Sequence, residues 1–220
     1  MDFTPFFGKH MEPKKFRCDL ATLEEYEAIN HNMTGIMNYD APTDAATIFG
    51  GNTSWILAPE VTDGPYYVTG EMIRKNVKEA QYSDGVDLYL EVQYVDVETR
   101  EGVSGVYVDI WNANATAVCS EIYTSGNYAA DGLNSTYLRG IQATDKDGVV
   151  VFETIFPGDY DGRARNPHAP AGAHERHVVQ AGTTYHPFPE YLYLGDAVDD
   201  GLFAWIQRNL VRRSKQEARG

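Results

Sequence analysis

The sequence predicts an all-β fold, a β-sandwich preceded by an extended arm and followed by a tail of different character. Three observations carry this. The first is alternation of apolar and polar residues in Val86–Val97 (VDLYLEVQYVDV), with Val86, Leu88, Leu90 and Val92 on one face. The second is a series of short β-rich runs divided by Gly, Asp and Asn turns. The third is composition: 220 residues, 43% hydrophobic and 12% aromatic, enough for one well-cored domain.

The elements follow in chain order. Residues 1–52 read as an N-terminal arm. Ala21–Asn30 (ATLEEYEAIN) predicts a short helix, with Thr22 as N-cap and Glu25 three residues on. The turn-rich stretch after it reads as extended chain. Residues 53–163 read as the sandwich. Its first clear strand is Val86–Val97, whose pattern shifts phase near Tyr94–Val97. A turn at Thr99–Gly102 leads to Val103–Trp111, with Val106, Val108 and Ile110 on one face. Asp145–Gly148 (DKDG) is a turn between Leu138–Ala143 and Val149–Ile155. Residues 164–220 change style. They begin irregularly, with His168, His174 and His177, and end in GLFAWIQRNLVRRSKQEARG, which reads as a basic helix.

Composition also excludes function classes. There are 18 Lys+Arg against 32 Asp+Glu, a net charge of -14. A nucleic-acid partner is not expected, because phosphate binding needs a basic surface. No run approaches the roughly 20 apolar residues of a membrane helix, so no membrane span is expected. Two cysteines, Cys18 and Cys119, exclude a disulfide scaffold. The first residues show no apolar run behind a basic stretch, so no leader is expected. Four N-x-S/T triplets, at Asn32, Asn52, Asn114 and Asn134, point instead towards a secretory origin. The compartment and the oligomeric state stay open.

Dinucleotide and Walker loops, H-E-x-x-H and G-x-S-x-G are absent from the sequence. No histidine lies between His31 and His168, so any histidine site must draw on the ends of the chain. The informative segments are Trp55–Glu71 and Phe152–Arg163. In the first, Asp63-Gly64-Pro65 turns the chain into Tyr66-Tyr67; in the second, Pro157-Gly158 turns it towards Tyr160. A tyrosine ordinarily packs its ring and hydrogen-bonds its hydroxyl. The alternative is phenolate ligation of a hard ferric ion, whose charge draws the phenol well below its usual pKa of about 10.

Three blocks carry a resemblance: LAPEVTDGPYYVTGE (57–71), VYVDIWNANATAVCSE (106–121) and STYLRGIQATDKDGVVVFETIFPGDYDGR (135–163). In order and spacing they resemble the intradiol ring-cleavage dioxygenase family, especially its fungal, often secreted branch. The resemblance covers about half the chain. It implies an Ig-like β-sandwich holding one non-haem Fe(III) through two tyrosines and two histidines. It assigns Tyr67 and Tyr160 as the tyrosine ligands and leaves Tyr66 packing or lining the pocket. It gives Arg163 contact with the bound catecholate. The implied reaction is cleavage of a catechol by O₂ between its hydroxylated carbons, giving a muconate-type diacid, with tyrosinate as general base.

The chain departs from the family in two places. Asn112, Ala113, Ala117 and Cys119 stand where the family often has His, Cys, Gly and Tyr, and the partner cysteine near Glu98–Glu101 is missing. A family disulfide is thus lost as a pair, which leaves Cys119 a half-buried thiol. The family's H-x-H after Y-x-G-R is also missing. His174 and His177 are three apart, a spacing that does not put both on one strand face. Read one base later, codons for Asn166–His177 permit Thr-His-Thr-His-Leu-Leu-Ala-His-Thr-Asn-Ala. This predicts a shifted frame beyond about Arg163, in a tail that does not fold as part of the sandwich. Two readings stand beside the enzyme: a non-catalytic sandwich binding phenolics or glycans through Tyr66, Tyr67 and Trp111, and a dioxygenase made defective by the shift.

Overall fold

A computed structural model describes residues 28–37, 45–50, 66–70, 72–79, 84–124, 127–128, 134–158 and 188–210. Within them the chain is mostly β, with one short helix, α1 (Ala45–Phe49). The strands are β1 (Asp87–Asp96), β2 (Tyr107–Trp111), β3 (Tyr123–Thr124), β4 (Asn127–Tyr128), β5 (Arg139–Ala143), β6 (Val149–Ile155), β7 (Glu190–Tyr193) and β8 (Leu202–Leu210). A four-stranded sheet runs β6-β1-β8-β7; β2 pairs with β5, and β3 with β4.

Two faces of the large sheet are buried, each for its own reason. On one side Val92, Val150, Phe152 and Ile206 meet Val108 and Ile110 from β2, with Tyr137 and Leu138 beside them. This is the sandwich core, and it uses the alternation legible in β1 and β2. On the other side Val149, Leu192, Phe203 and Trp205 are covered by Met33, Met37, Ile48 and Phe49. The arm therefore forms a third layer. It also seals the β7 edge, where Met33 N donates to Tyr191 O at 2.7 Å and Tyr191 N donates to His31 O at 3.0 Å.

Residues 72–77 close the gap between the sheets. Arg74 N donates to Ile141 O on β5, and Val77 N donates to Glu153 O on β6. The Arg74 side chain fixes this strap through Arg139 O (2.9 Å) and Thr136 O (2.5 Å). The turn between β5 and β6 is fastened by Asp145 Oδ1, which accepts from Asp147 N and Val149 N. Gly148 completes it at φ +76°, where a Cβ would lie 2.3 Å from Tyr94 O.

The structure corrects several expectations. Residues 202–210 are not a helix; they form β8, in parallel register with β1 from Leu88↔Leu202 to Asp96↔Leu210. The tail is therefore not irregular throughout: its described part supplies two strands of the main sheet. β1 also keeps one register through Asp96, without a phase shift. Val95 and Asp96 are both buried, and Asp96 Oδ1 accepts from Glu98 N and Thr99 N in the turn that follows. The strand expected over Val103–Trp111 begins only at Tyr107. Residues 21–27 of the expected helix lie outside the described residues, and 28–30 are not helical. The arm's described helix is α1, in a stretch expected to be extended.

Candidate functional site

The site is built where β2 ends. In 66–68 alternate side chains point opposite ways, as in any extended segment. Tyr66 and Val68 pack against Ala113, Cys119 and Ile122. Tyr67, between them, turns outward and is 40% exposed. Its ring meets Trp111 edge-on, with centroids 5.7 Å apart and planes at 66°. Among the described residues its hydroxyl makes no hydrogen bond, so its oxygen is open to a ligand or a metal.

The second tyrosine-bearing segment leaves from the same place. After β6, Gly158 N donates to Asn114 O at 2.9 Å. A Cβ on Gly158 would lie 2.4 Å from Ala115 O and 2.6 Å from Ala117 N, so only glycine lets the two backbones meet. Asn112 ties the strand ends together. Its Nδ2 donates to Ala113 O and Ile155 O, and its Oδ1 accepts from Thr154 Oγ1 at 2.7 Å. Gly158 stands two residues before Tyr160, and Asn114 three after Trp111. Tyr160 and Arg163 themselves lie outside the described residues, as do His168, His174 and His177.

A polar group beneath Trp111 escaped the sequence reading. Arg139 faces Trp111 across the β2–β5 pair and is 1% exposed. Its Nε donates to Ser120 Oγ and its Nη2 to Ser120 O, each at 2.8 Å, with Glu121 Oε2 at 3.8 Å. This guanidinium braces the loop after β2 and does not reach solvent. Asp109, two residues before Trp111 on the same strand face, has a buried, unpaired Oδ1. Burial pushes its carboxyl up, and Arg139 opposes the shift. For Asp109 the only early signal was the alternation of β2; Arg139, on β5, had none. Cys119 is buried, rather than half-buried.

Among the described residues no group of three or more His, Cys, Asp or Glu is placed to hold a metal. The donor the described site offers is instead the Tyr67 phenol oxygen, a ligand type that suits a hard ferric ion.

An intradiol ring-cleavage dioxygenase from Tetranychus urticae superposes with a TM-score of 0.56, over 72% of this chain and 97% of that one, at 22% identity. A second dioxygenase crystal structure gives a TM-score of 0.55, covering 73% and 98%, at 21% identity. The chain has the intradiol dioxygenase fold. Catechol 1,2-dioxygenase from Acinetobacter sp. ADP1, solved with inhibitory mercury bound, matches at a TM-score of 0.50 and 17% identity, over 70% of this chain and 63% of that one. No family model and no curated protein matches the chain. Within this fold, the Tyr67–Trp111 contact and the Gly158–Asn114 bond lie at one edge of the sandwich.

Proposed function

We propose that this protein is an intradiol dioxygenase, cleaving a catechol with O₂ between its two hydroxylated carbons to give a muconate-type diacid. Both oxygen atoms of O₂ enter the product. The observation that carries the proposal is Tyr67: an outward phenol, free of hydrogen bonds among the described residues, resting on Trp111 in a chain of this fold.

In this reading Tyr67 and Tyr160 hold a non-haem Fe(III), and the remaining ligands come from the segment after Arg163. When bound, the ferric ion supplies Lewis acidity and an electron acceptor for the diol. The residues do the rest. Tyr67 accepts a proton from a substrate hydroxyl, a role suited to a phenolate with no competing donor. Trp111 gives the ring an apolar wall. The Arg163 guanidinium faces the negative charge of the diolate.

The test is iron content and colour. The wild-type protein is expected to retain about one ferric ion per chain, as a single site requires, with a visible tyrosinate-to-iron band and O₂ uptake on adding catechol. Tyr67→Phe should lose the band and most of the iron. Unchanged iron and colour in that variant would remove Tyr67 from the site. Arg163→Ala should lower turnover while leaving iron in place.

The missing H-x-H favours a second reading, a non-catalytic aromatic-binding sandwich. Tyr66 packs inward, so its surface reduces to Tyr67 and Trp111. It predicts catechol binding without O₂ uptake.

A further inference from the structure

Four of the chain's 11 asparagines open an N-x-S/T triplet. Ser and Thr make up 23 of 220 residues, so chance supplies about one such triplet. Asn52 lies outside the described residues. The other three keep the carboxamide nitrogen available.

Asn114 shows how. Its Oδ1 accepts from Thr116 N (3.0 Å), Thr116 Oγ1 (2.9 Å) and Val118 N (2.9 Å). The oxygen is thus anchored to the turn. The nitrogen has no hydrogen bond among the described residues. It is not buried either: the buried unpaired polar atoms are Asp109 Oδ1 and Trp205 Nε1. Ala115 and Thr116 beside it are exposed. Asn32 repeats the pattern, with Oδ1 accepting from Thr34 N at 2.9 Å and Thr34 exposed. Asn134 is itself exposed. Outside the triplets, Asn112 commits its nitrogen to Ala113 O and Ile155 O, and Asn209 is 5% exposed. Asn30 and Asn76 share the exposed turn geometry but lack the Ser or Thr two residues on, so the triplet is what singles out the three sites.

We propose that Asn114, Asn134 and Asn32 carry N-linked glycans. The donor class is an oligosaccharide on a lipid pyrophosphate. Nδ2 forms a bond to the sugar C1, the C1–oxygen bond to pyrophosphate breaks, and the lipid pyrophosphate leaves with the electron pair. Nδ2 releases one proton, and nothing is oxidised or reduced. The folded chain accepts the product because each nitrogen already faces solvent while the oxygen keeps its turn. The glycan on Asn32 stands beside the β7 edge, and the one on Asn114 at the rim of the candidate site.

The experiment is peptide mapping of protein purified from its native source, deglycosylated enzymatically in H₂¹⁸O. Conversion of residues 114 and 134 to ¹⁸O-labelled aspartate, a gain of about 3 Da each, is expected. Unmodified asparagine at both positions overturns the proposal. In a eukaryotic secretory host, Thr116→Ala should lose one glycan's mass and Thr116→Ser should keep it, since serine preserves the hydroxyl. Equal glycan mass in wild type and both variants overturns the assignment at Asn114.

Discussion

At Glu91 a single side chain sets a pH dependence. Its carboxyl is pushed from 4.5 up to about 6, first by burial and then by Asp145, with Lys75 pulling the other way. The folded chain therefore holds this proton more tightly than the unfolded one. Between about pH 4.5 and 6 the unfolded state loses the proton first, so stability falls as pH rises, and the penalty is complete above about 6. Allowing for solvent at this partly exposed group, the penalty is about 1 kcal/mol. Glu91→Gln should be more stable than wild type by that amount at neutral pH. The gain should vanish below the ordinary carboxylate range. Urea midpoints of both proteins across this window check it; a constant difference would assign the effect to packing. At the same scale, the sequence drew attention to Tyr67 because Asp63-Gly64-Pro65 before it reads as a turn. That Tyr67 and not Tyr66 faces outward depends on Ala113, Cys119 and Ile122 arriving from elsewhere in the chain, which no local pattern announces. Arg139 and Asp109 were illegible for the same reason: each is defined by a neighbour across the β2–β5 pair or in the following loop.

Among the elements, β6 was read to its ends and β1 nearly so, while β8 was missed, and burial explains the difference. β6 begins at an Asp-Gly turn, and β1 alternates over most of its length. In β8, Ala204 and Ile206 are buried, and so are Phe203 and Trp205, which alternate with them. Ile206 enters the sandwich core, while Phe203 and Trp205 meet the arm. A strand covered on both faces has no polar side to alternate with, and its apolar run reads equally well as a helix. Trp205 is the test. It is 0% exposed and stacks on Phe203 with centroids 5.5 Å apart. Trp205→Ala should cost about 3–5 kcal/mol by removing a large buried ring. Trp205→Phe should recover much of that, since its unpaired Nε1 contributes no hydrogen bond. Chemical denaturation of the two variants decides it; a loss under 1 kcal/mol for the alanine would mean that the arm side of the sheet is loosely packed.

For the whole molecule, one sheet draws on segments far apart in the chain. The arm at 28–37 and 45–50 covers strands formed by residues 149–155 and 188–210. Deleting residues 1–50 should expose Phe203, Trp205, Leu192 and Val149 together. The truncated protein should bind a hydrophobic dye and aggregate, and a monodisperse, dye-free product would show the arm to be dispensable. The same arrangement bears on the reading frame. A shift running to the end of the chain would replace β8 with sequence unrelated to the fold. Yet β8 pairs with β1 over nine positions, pairs with β7 on its other side, and buries Leu202 through Ile206. Out-of-frame sequence has no reason to supply a nine-residue central strand with two apolar faces of the right size. The expected frame is therefore native from about Phe188 onward. The permitted Thr-His-Thr-His reading lies in codons 166–177, upstream of that point. The expected transcript carries the shifted frame only between about Arg163 and Phe188, with a compensating change that restores β7 and β8. Sequencing across the codons for Phe156 to Pro187 checks this. A transcript with Thr-His-x-His there supplies two further histidines, and reconstituted iron should then bind without mutation elsewhere. One that encodes NPHAPAGAHERH turns the question to whether His168, His174 or His177 holds iron: loss of colour on substituting one by alanine names it, and a protein without iron favours the non-catalytic aromatic-binding sandwich.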